Sequence, residues 1–183
     1  MITGQHVIIR TADPDDARSL LRLYDTTRPV AFILGPSREV AVPTLDELQE
    51  TLARREVATG SFYVIEDPEG AIRGCCAMRG IAKETTHAEM ALALVDDTDY
   101  EAPLAQDALE FLRHSAFVEK KLTKLMAHCL DTEQAYRNLL ARSGFESAGV
   151  QRDMVYACGR YYDLESLRLF CNDYREEYRD PKT

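Results

Sequence analysis

The stretch over residues 88–112 constrains the fold of this chain more than any other. It starts as an apolar run that reaches Val95, passes through an acidic turn, and continues from about Pro103 with helical spacing. A strand that leads directly into a helix is typical of α/β proteins. Ligands bind there because the first backbone N–H groups of a helix lack partners and carry partial positive charge. We therefore expect any ligand site of this protein to lie along this stretch.

The composition predicts a single soluble domain over residues 1–183, with a core over about 7–170 and a polar tail over 171–183. Hydrophobic residues make up 45% of the chain and charged residues 29%, which is typical of folded domains. The formal net charge of −9 argues against a nucleic-acid partner, because phosphate binding needs a basic surface. No run approaches the roughly 20 apolar residues of a membrane span, and the N-terminus lacks a signal-peptide pattern. We therefore expect a cytoplasmic protein with no membrane partner.

The cysteines and histidines indicate neither a disulfide framework nor a metal site. The five cysteines are odd in number, and no pair of them is spaced like metal ligands or a redox motif. Cys75 and Cys76 are adjacent, so in a strand they would point to opposite faces and could not easily bond each other. The four histidines are also scattered without metal spacing. We expect reduced, mostly buried thiols and no metal, with His128 in the core or lining a cleft.

Periodicity along the chain predicts the element order β-α-α-β-β-β-α-β-α-β-β, a mixed sheet with helices packed against it. Asp13 followed by Pro14 starts the first helix, and Thr44 with Glu47 forms a capping box that starts the second. The four helices are expected at 14–24, from 45 to before 60, 103–118 and 132–142. The strands are expected at 7–9, 62–65, 71–81, 88–95, 125–130, 145–150, 154–158 and 161–170.

Residues 133–146, Glu-Gln-Ala-Tyr-Arg-Asn-Leu-Leu-Ala-Arg-Ser-Gly-Phe-Glu, carry the best local family match. They resemble the pattern Asn-x-x-Ser, several helical residues, then Leu-Gly-Phe, of the GNAT N-acetyltransferase superfamily. The Gly-x-x-Arg at 149–152 and the Gly-x-Tyr-x-Asp at 159–163 resemble endings of its branch of ribosomal-protein N-terminal and diamine acetyltransferases. The resemblance spans about 7–170 and implies the GNAT fold, an α+β arrangement whose mixed, mostly antiparallel sheet is flanked by helices.

The resemblance also implies where acetyl-CoA would bind as a co-substrate. In this family it lies in a V-shaped opening between two strands, here 88–95 and 124–130, and its pantetheine arm pairs with the first strand. The pyrophosphate rests on backbone N–H groups of a Gln/Arg-x-x-Gly-x-Gly/Ala turn, here 100–105. The cofactor-binding residues implied in this way are Leu92, Leu94, Val95, Leu104 and Ala105.

The turn at 100–105 departs from the family pattern, so the expected pyrophosphate loop is degenerate. Only Ala105 fits, and Pro103 replaces the glycine that would let the backbone approach a phosphate and donate an N–H group. Each nearby carboxylate would also oppose a phosphate by about 1 kcal/mol even in water-like surroundings. Two interpretations stay open: an atypical CoA turn, or a helix start that is merely capped. The acids concerned are Asp96, Asp97, Asp99 and Glu101.

Glu89 matches the position of a general-base glutamate on the corresponding strand of related enzymes. Strand alternation places it on the same face as Ala91, Ala93 and Val95. Two alanines beside an acid leave room for a substrate cleft, and a partly apolar cleft would favour a base active near neutral pH. The alternative is a solvated carboxylate at the edge of the strand.

The acid that protonates the departing thiolate is a tyrosine in many family members. Counting back from Gly144 and Phe145, that position is Leu140, which has no proton to donate. Tyr136 lies one turn earlier on the same helical face and is the candidate substitute, although a helix tyrosine is more often packing.

These residues lead to two functional hypotheses. The first is an N-acyltransferase that moves an acetyl or other acyl group from acyl-CoA to a primary amine of a small molecule or peptide, with Glu89 as base. The second is a GNAT-fold binding or regulatory protein that has lost CoA binding and catalysis. A homodimer is expected only by analogy with the fold.

Overall fold

A computed structural model describes residues 2–3, 6–24, 29–31, 42–53, 61–81 and 86–177 of the chain. Among these residues, eight strands form one sheet in the order β1-β2-β3-β4-β5-β6-β8-β7. The strands are β1 (Ile2–Thr3), β2 (Ile8–Thr11), β3 (Ser61–Glu66), β4 (Ile72–Arg79), β5 (His87–Leu94), β6 (Lys124–Leu130), β7 (Glu146–Ala157) and β8 (Arg160–Phe170). The helices are α1 (Ala17–Leu20), α2 (Leu45–Ala53), α3 (Pro103–His114), α4 (Gln134–Arg142) and α5 (Cys171–Glu177).

The first two helices begin where the sequence predicts. The Asp13 side chain accepts from the Asp15 N–H at 3.1 Å. The Asp16 side chain accepts from the Asp13 N–H at 2.7 Å, which completes a capping box. The Thr44 and Glu47 box is confirmed in the same way, with the Glu47 N–H 3.2 Å from Thr44 Oγ1. Because each box satisfies amide groups that a helix leaves open, the two predicted starts are fixed locally.

The sheet is antiparallel at every neighbouring pair except β5 and β6, which run parallel. The mixed, mostly antiparallel sheet expected from the sequence is therefore confirmed. The parallel pair is short: its three register pairs end at Glu89 opposite Met126. Beyond that point the two central strands lose their pairing, and an opening forms in the middle of the sheet.

Two hydrophobic clusters cover the two faces of β5, in the alternation that the sequence predicts. Met90, Leu92 and Leu94 are buried with residues of α3 and α4. Ala91 and Ala93 are buried in the other cluster, with residues of α1 and α2. Full burial of a leucine side chain stabilises a fold by about 1.5–3 kcal/mol. This central strand is therefore held firmly from both sides.

The C-terminal end differs from the prediction in two ways. The strands expected at 145–150 and 154–158 form one strand, β7, whose register shifts between Gln151 and Val155 and whose Asp153 has φ of 51°. Such irregularities absorb extra residues without ending a strand. The core also does not stop at residue 170, because Tyr174 on α5 is 1% exposed and donates to Glu110 at 2.6 Å.

Three further expectations concern the end of the second helix, the cysteines and membrane spans. Residues 54–60, where the second helix was expected to end, lie outside the described ranges. Of the five free cysteines, Cys158 is exposed and the other four are buried. None of the described helices is long and apolar enough to cross a membrane.

Candidate active site

A shallow depression lies where β5 and β6 part. Within the described residues its volume is about 10 Å³, room for roughly one water molecule. Its lining residues are Ala31, Arg79, Glu89, Met90, Ala91, Leu92, His128 and Tyr136.

Glu89 stands at the point where the parallel pairing ends. Its side chain is 40% exposed, and Oε2 lies 3.6 Å from Nε2 of His128 on the neighbouring strand. Arg79 is its cross-strand partner on β4 and also lines the depression. A half-exposed carboxylate next to an imidazole can accept a proton from a substrate and pass it to water.

His128 is fixed by the strand on its other side. Its Nδ1 lies 3.0 Å from Oγ of Ser166, which is also its register partner on β8. The imidazole side chain is 16% exposed. It therefore bridges three strands, with one nitrogen on Ser166 and the other facing Glu89 and the depression.

Tyr136 reaches the depression from α4. The residue is 3% exposed, and no described group forms a hydrogen bond with its hydroxyl. Burial raises the pKa of Tyr136 well above its usual value, Tyr100, Glu133 and Cys129 raise it further, and the backbone of Leu92 partly opposes them. The hydroxyl is therefore protonated throughout the physiological range, so it can serve as an acid but not as a base.

Tyr100 lies beside the residues of β5 at which the family resemblance places the pantetheine arm, and the sequence did not suggest this position. Its ring centre lies 5.5 Å from that of Tyr136, and its hydroxyl accepts from the Leu94 N–H at 3.0 Å. The Val95 N–H donates to the Arg73 carbonyl oxygen at 2.8 Å. Two of the backbone amides expected to face a pantetheine arm are therefore already paired within the protein.

The turn before α3 offers little to a phosphate. Pro103 is the first helical residue, as predicted, and the Ala105 N–H donates to the Ala102 carbonyl oxygen at 3.1 Å. Leu104 and Ala105 are buried in the core and do not line the depression. Pro103 and Ala105 therefore leave no free backbone N–H group at the two positions where the family resemblance places the glycine-type residues.

The acids in this turn do not act as a simple helix cap. No side chain caps α3, whose N-cap position is Ala102. Asp99 is buried and forms two hydrogen bonds with Arg73, of 3.0 and 2.6 Å, across to β4. That carboxylate is neutralised by an ion pair, so it opposes a phosphate less than the sequence suggests.

Glu133 begins the segment that resembles the family pattern, where the family has asparagine. Its Oε2 accepts from the Leu130 N–H at 2.7 Å and from the Ala31 N–H at 2.9 Å. The carboxylate thus joins the end of β6 to residue 31, which lines the depression. The periodicity of the sequence gave no signal for this long-range contact.

The predicted room beside Glu89 is smaller than expected. Ala91 is 9% exposed and Ala93 is 1% exposed, because α1 and α2 cover them. Space beside β5 is therefore confined to the Glu89 end of the strand. Glu89, Leu92 and Tyr136 do lie together as the sequence suggests. His128 and Ser166 join the site through strand register, and Tyr100 through the 3₁₀ turn that follows β5.

The described residues supply no other reactive group at this site. No group of three His, Cys, Asp or Glu side chains among them could hold a metal ion. Burial raises the pKa of Cys129 to about 12, with Glu133 and Glu165 adding to the effect, so the thiol stays protonated and is a poor nucleophile.

Comparisons with known proteins give a consistent family. A family model described as an acetyltransferase (GNAT) domain matches residues 9–165. The structure resembles the spermidine N-acetyltransferase from Vibrio cholerae in complex with CoA and spermine, with a TM-score of 0.77 and 17% identity over 94% of this chain and 99% of that one. It also resembles a probable acetyltransferase, with a TM-score of 0.75 and 20% identity over 93% of this chain and 96% of that one.

No curated protein gives a significant sequence match. The structural likenesses are at low identity and support the shared fold alone. The family model covers most of the chain. The chain therefore belongs to the GNAT family of acetyltransferase domains.

Proposed function

We propose that this protein is an N-acyltransferase that moves an acetyl or other acyl group from an acyl thioester, acyl-CoA in its family, to a primary amine. One observation carries the proposal. Glu89 and His128, from two different strands, approach to 3.6 Å where those strands part, and Tyr136 lines the same depression. A base and an acid at the opening of this fold are what direct amine attack on a thioester requires.

In the proposed reaction, Glu89 removes a proton from the substrate ammonium group, directly or through one water. The neutral amine forms a C–N bond with the thioester carbonyl carbon, and the C–S bond then breaks with its electron pair going to sulfur. Tyr136 protonates the thiolate and is reprotonated from the second proton that leaves nitrogen. The products are an amide and a free thiol, and one proton is released to solvent.

The acceptor is proposed to be a small-molecule or peptide amine. The related enzyme from Vibrio cholerae is described with spermine, a polyamine. A carboxylate at the depression and a formal net charge of −9 both favour a cationic acceptor, by local pairing and by long-range attraction.

The test measures thiol release from acetyl-CoA and from an acetyl-pantetheine thioester with a panel of primary amines. Replacing Glu89 with Gln is expected to lower kcat/KM by about 100-fold, because a general base contributes on the order of 10²–10⁴ to the rate. Glu69→Gln, in the exposed β3–β4 turn, removes the same charge elsewhere and should leave the rate unchanged. A Glu89→Gln variant with wild-type turnover would refute the role of Glu89.

A second candidate function is a GNAT-fold binding or regulatory protein without acyl-CoA chemistry. Two observations favour it: the Tyr100 hydroxyl holds the Leu94 amide, and Pro103 begins α3. It predicts that neither thioester donor raises the unfolding temperature of the protein at millimolar concentration. The acyltransferase proposal predicts that both donors do so.

A further inference from the structure

We propose that His128 is a second catalytic residue. The imidazole acts with the Glu89 carboxylate as a coupled general base, and Ser166 holds the ring in place. This inference rests on the proposed acyltransferase function and specifies how its acceptor amine loses a proton. The proposal rests on two distances. His128 Nε2 lies 3.6 Å from Glu89 Oε2, and His128 Nδ1 lies 3.0 Å from Ser166 Oγ.

The contact with Ser166 fixes which imidazole nitrogen can react. Because Nδ1 is engaged by the hydroxyl on β8, Nε2 is the nitrogen that faces the depression. When Nδ1 carries the proton and donates it to Ser166, Nε2 has a lone pair that can accept the ammonium proton. The Glu89 carboxylate then stabilises the imidazolium that results.

The surroundings distinguish this histidine from one that only packs. Its strand neighbours Ala127 and Cys129 point into the core, whereas His128 lies on the opposite face and lines the depression. The other polar groups that line it or contact it come from separate elements: Glu89 on β5, Arg79 on β4, Tyr136 on α4 and Ser166 on β8.

The pair also gives the proton a route to solvent. Two protons leave nitrogen in each turnover: one ends on the departing sulfur, and the other must reach water. His128, only 16% exposed, takes the ammonium proton that is bound for water, and Glu89 receives it from the ring at a side chain that is 40% exposed. The ring thus works at the buried end of the route and the carboxylate at the open end.

The test compares His128→Gln with the wild-type protein in the thiol-release assay from pH 5.5 to pH 9. The variant is expected to lose about 30-fold in kcat/KM and to change the ascending limb of the pH profile. This loss is smaller than the roughly 10²–10⁴ of a full general base because Glu89 remains. Ser166→Ala should lose about threefold, since it frees the ring without removing it. His114→Gln, an exposed histidine at the end of α3, is the matched control and should match wild type.

A second readout follows the ring itself by ¹⁵N-resolved NMR of the histidine side chains. In the wild type, His128 should show one dominant tautomer with Nδ1 bonded, and Ser166→Ala should produce a mixture. Thermal unfolding of each variant checks that the fold is intact. Ring signals of His128 that do not respond to Ser166→Ala or Glu89→Gln would overturn the pairing.

Failure of this inference is separable from failure of the proposed function. Turnover that survives His128→Gln with an unchanged pH profile overturns the role of the pair and leaves the acyltransferase intact. Absence of turnover and of donor binding in the wild type overturns the acyltransferase, and the catalytic role of His128 with it. Loss of turnover with an altered pH profile in a folded His128→Gln protein supports the pair.

Discussion

The two sides of the opening between β5 and β6 differ in how well they suit acyl transfer. On the acceptor side, which is the side proposed to receive the amine, Glu89 and His128 project from separate strands and meet at 3.6 Å with water access. On the donor side, which is the side proposed to receive the acyl thioester, the Tyr100 hydroxyl accepts from the Leu94 N–H group, and Pro103 stands where the family has glycine. The sheet that creates the opening is shared with the family, whereas phosphate contacts depend on a single turn.

This difference shows that a fold and a cofactor site rest on separate parts of a sequence. The opening follows from where the parallel pairing of β5 and β6 stops, which many apolar residues determine together. The pyrophosphate contacts of the family depend on two glycine-type positions, and here Pro103 and Glu101 occupy that turn. A few substitutions can therefore weaken one function of the opening and leave its architecture unchanged.

The largest expected effect comes from restoring the donor side with the double variant Glu101→Gly and Pro103→Gly. The change removes one negative charge, worth about 1 kcal/mol, and adds a backbone N–H, worth about 1.5–3 kcal/mol toward a charged acceptor. Acetyl-CoA affinity should rise about 100-fold, measured by calorimetry.

The control for this variant is Glu50→Gln on the exposed face of α2, which changes the net charge alone. If the double variant binds no more tightly than wild type, the turn is not what limits the donor side, and the contrast between the two sides fails.

Tyr136 sharpens the comparison, because it serves both sides. Tyr136→Phe should lower turnover by about 30-fold through loss of the acid, since a thiolate is a good leaving group that needs modest help. The free energy of unfolding should stay level or rise by about 1 kcal/mol, because the lost hydroxyl has no hydrogen-bond partner among the described residues. Because the pKa of Tyr136 is raised, wild-type activity should show no loss from its ionisation up to about pH 10.

Tyr174→Phe provides the contrast for that experiment. Tyr174 lies on α5 and does not line the depression. Its hydroxyl donates to Glu110 at 2.6 Å. This variant should lose stability and keep turnover, the reverse of Tyr136→Phe. Equal losses of turnover in both variants would point to a general effect of core tyrosines and against an acid role.

A smaller effect is expected from Tyr100→Phe. The change releases the Leu94 N–H, so a donor no longer competes with the tyrosine hydroxyl for it. Acetyl-CoA affinity should rise about fivefold, from a net hydrogen bond of about 1 kcal/mol, while stability falls by about 1–3 kcal/mol in the free protein. Tyr156→Phe, whose ring is 60% exposed, is the control and should change neither. Unchanged affinity would show that the Leu94 amide is not part of the donor site.

The sequence predicted those features that depend on local chemistry. Spacing alone predicted the N-cap at Asp13, the capping box at Thr44, the two faces of β5 and Pro103 at the start of α3, and the structure agrees. Periodicity also predicted the order of the elements, and the family resemblance suggested Glu89 and Tyr136, which both line the depression.

The remaining site residues depend on long-range contacts that spacing does not encode. Ser166 reaches His128 only because β8 lies beside β6 in one register, and Tyr100 reaches Leu94 because a 3₁₀ turn folds back on its strand. The sequence placed Tyr174 in a polar tail because its neighbours are charged. Its single buried aromatic ring nevertheless packs the short helix α5 against the core.

Calorimetric titration of the unmodified protein with acetyl-CoA, and with acetyl-pantetheine in parallel, tests the central claim most directly. If the opening accepts a thioester but not the pyrophosphate, both donors should bind with Kd on the order of 0.1–1 mM and within about tenfold of each other. No binding of either donor at millimolar concentration would contradict the acyltransferase, and acetyl-CoA binding more than about 100-fold tighter would contradict the description of its donor side.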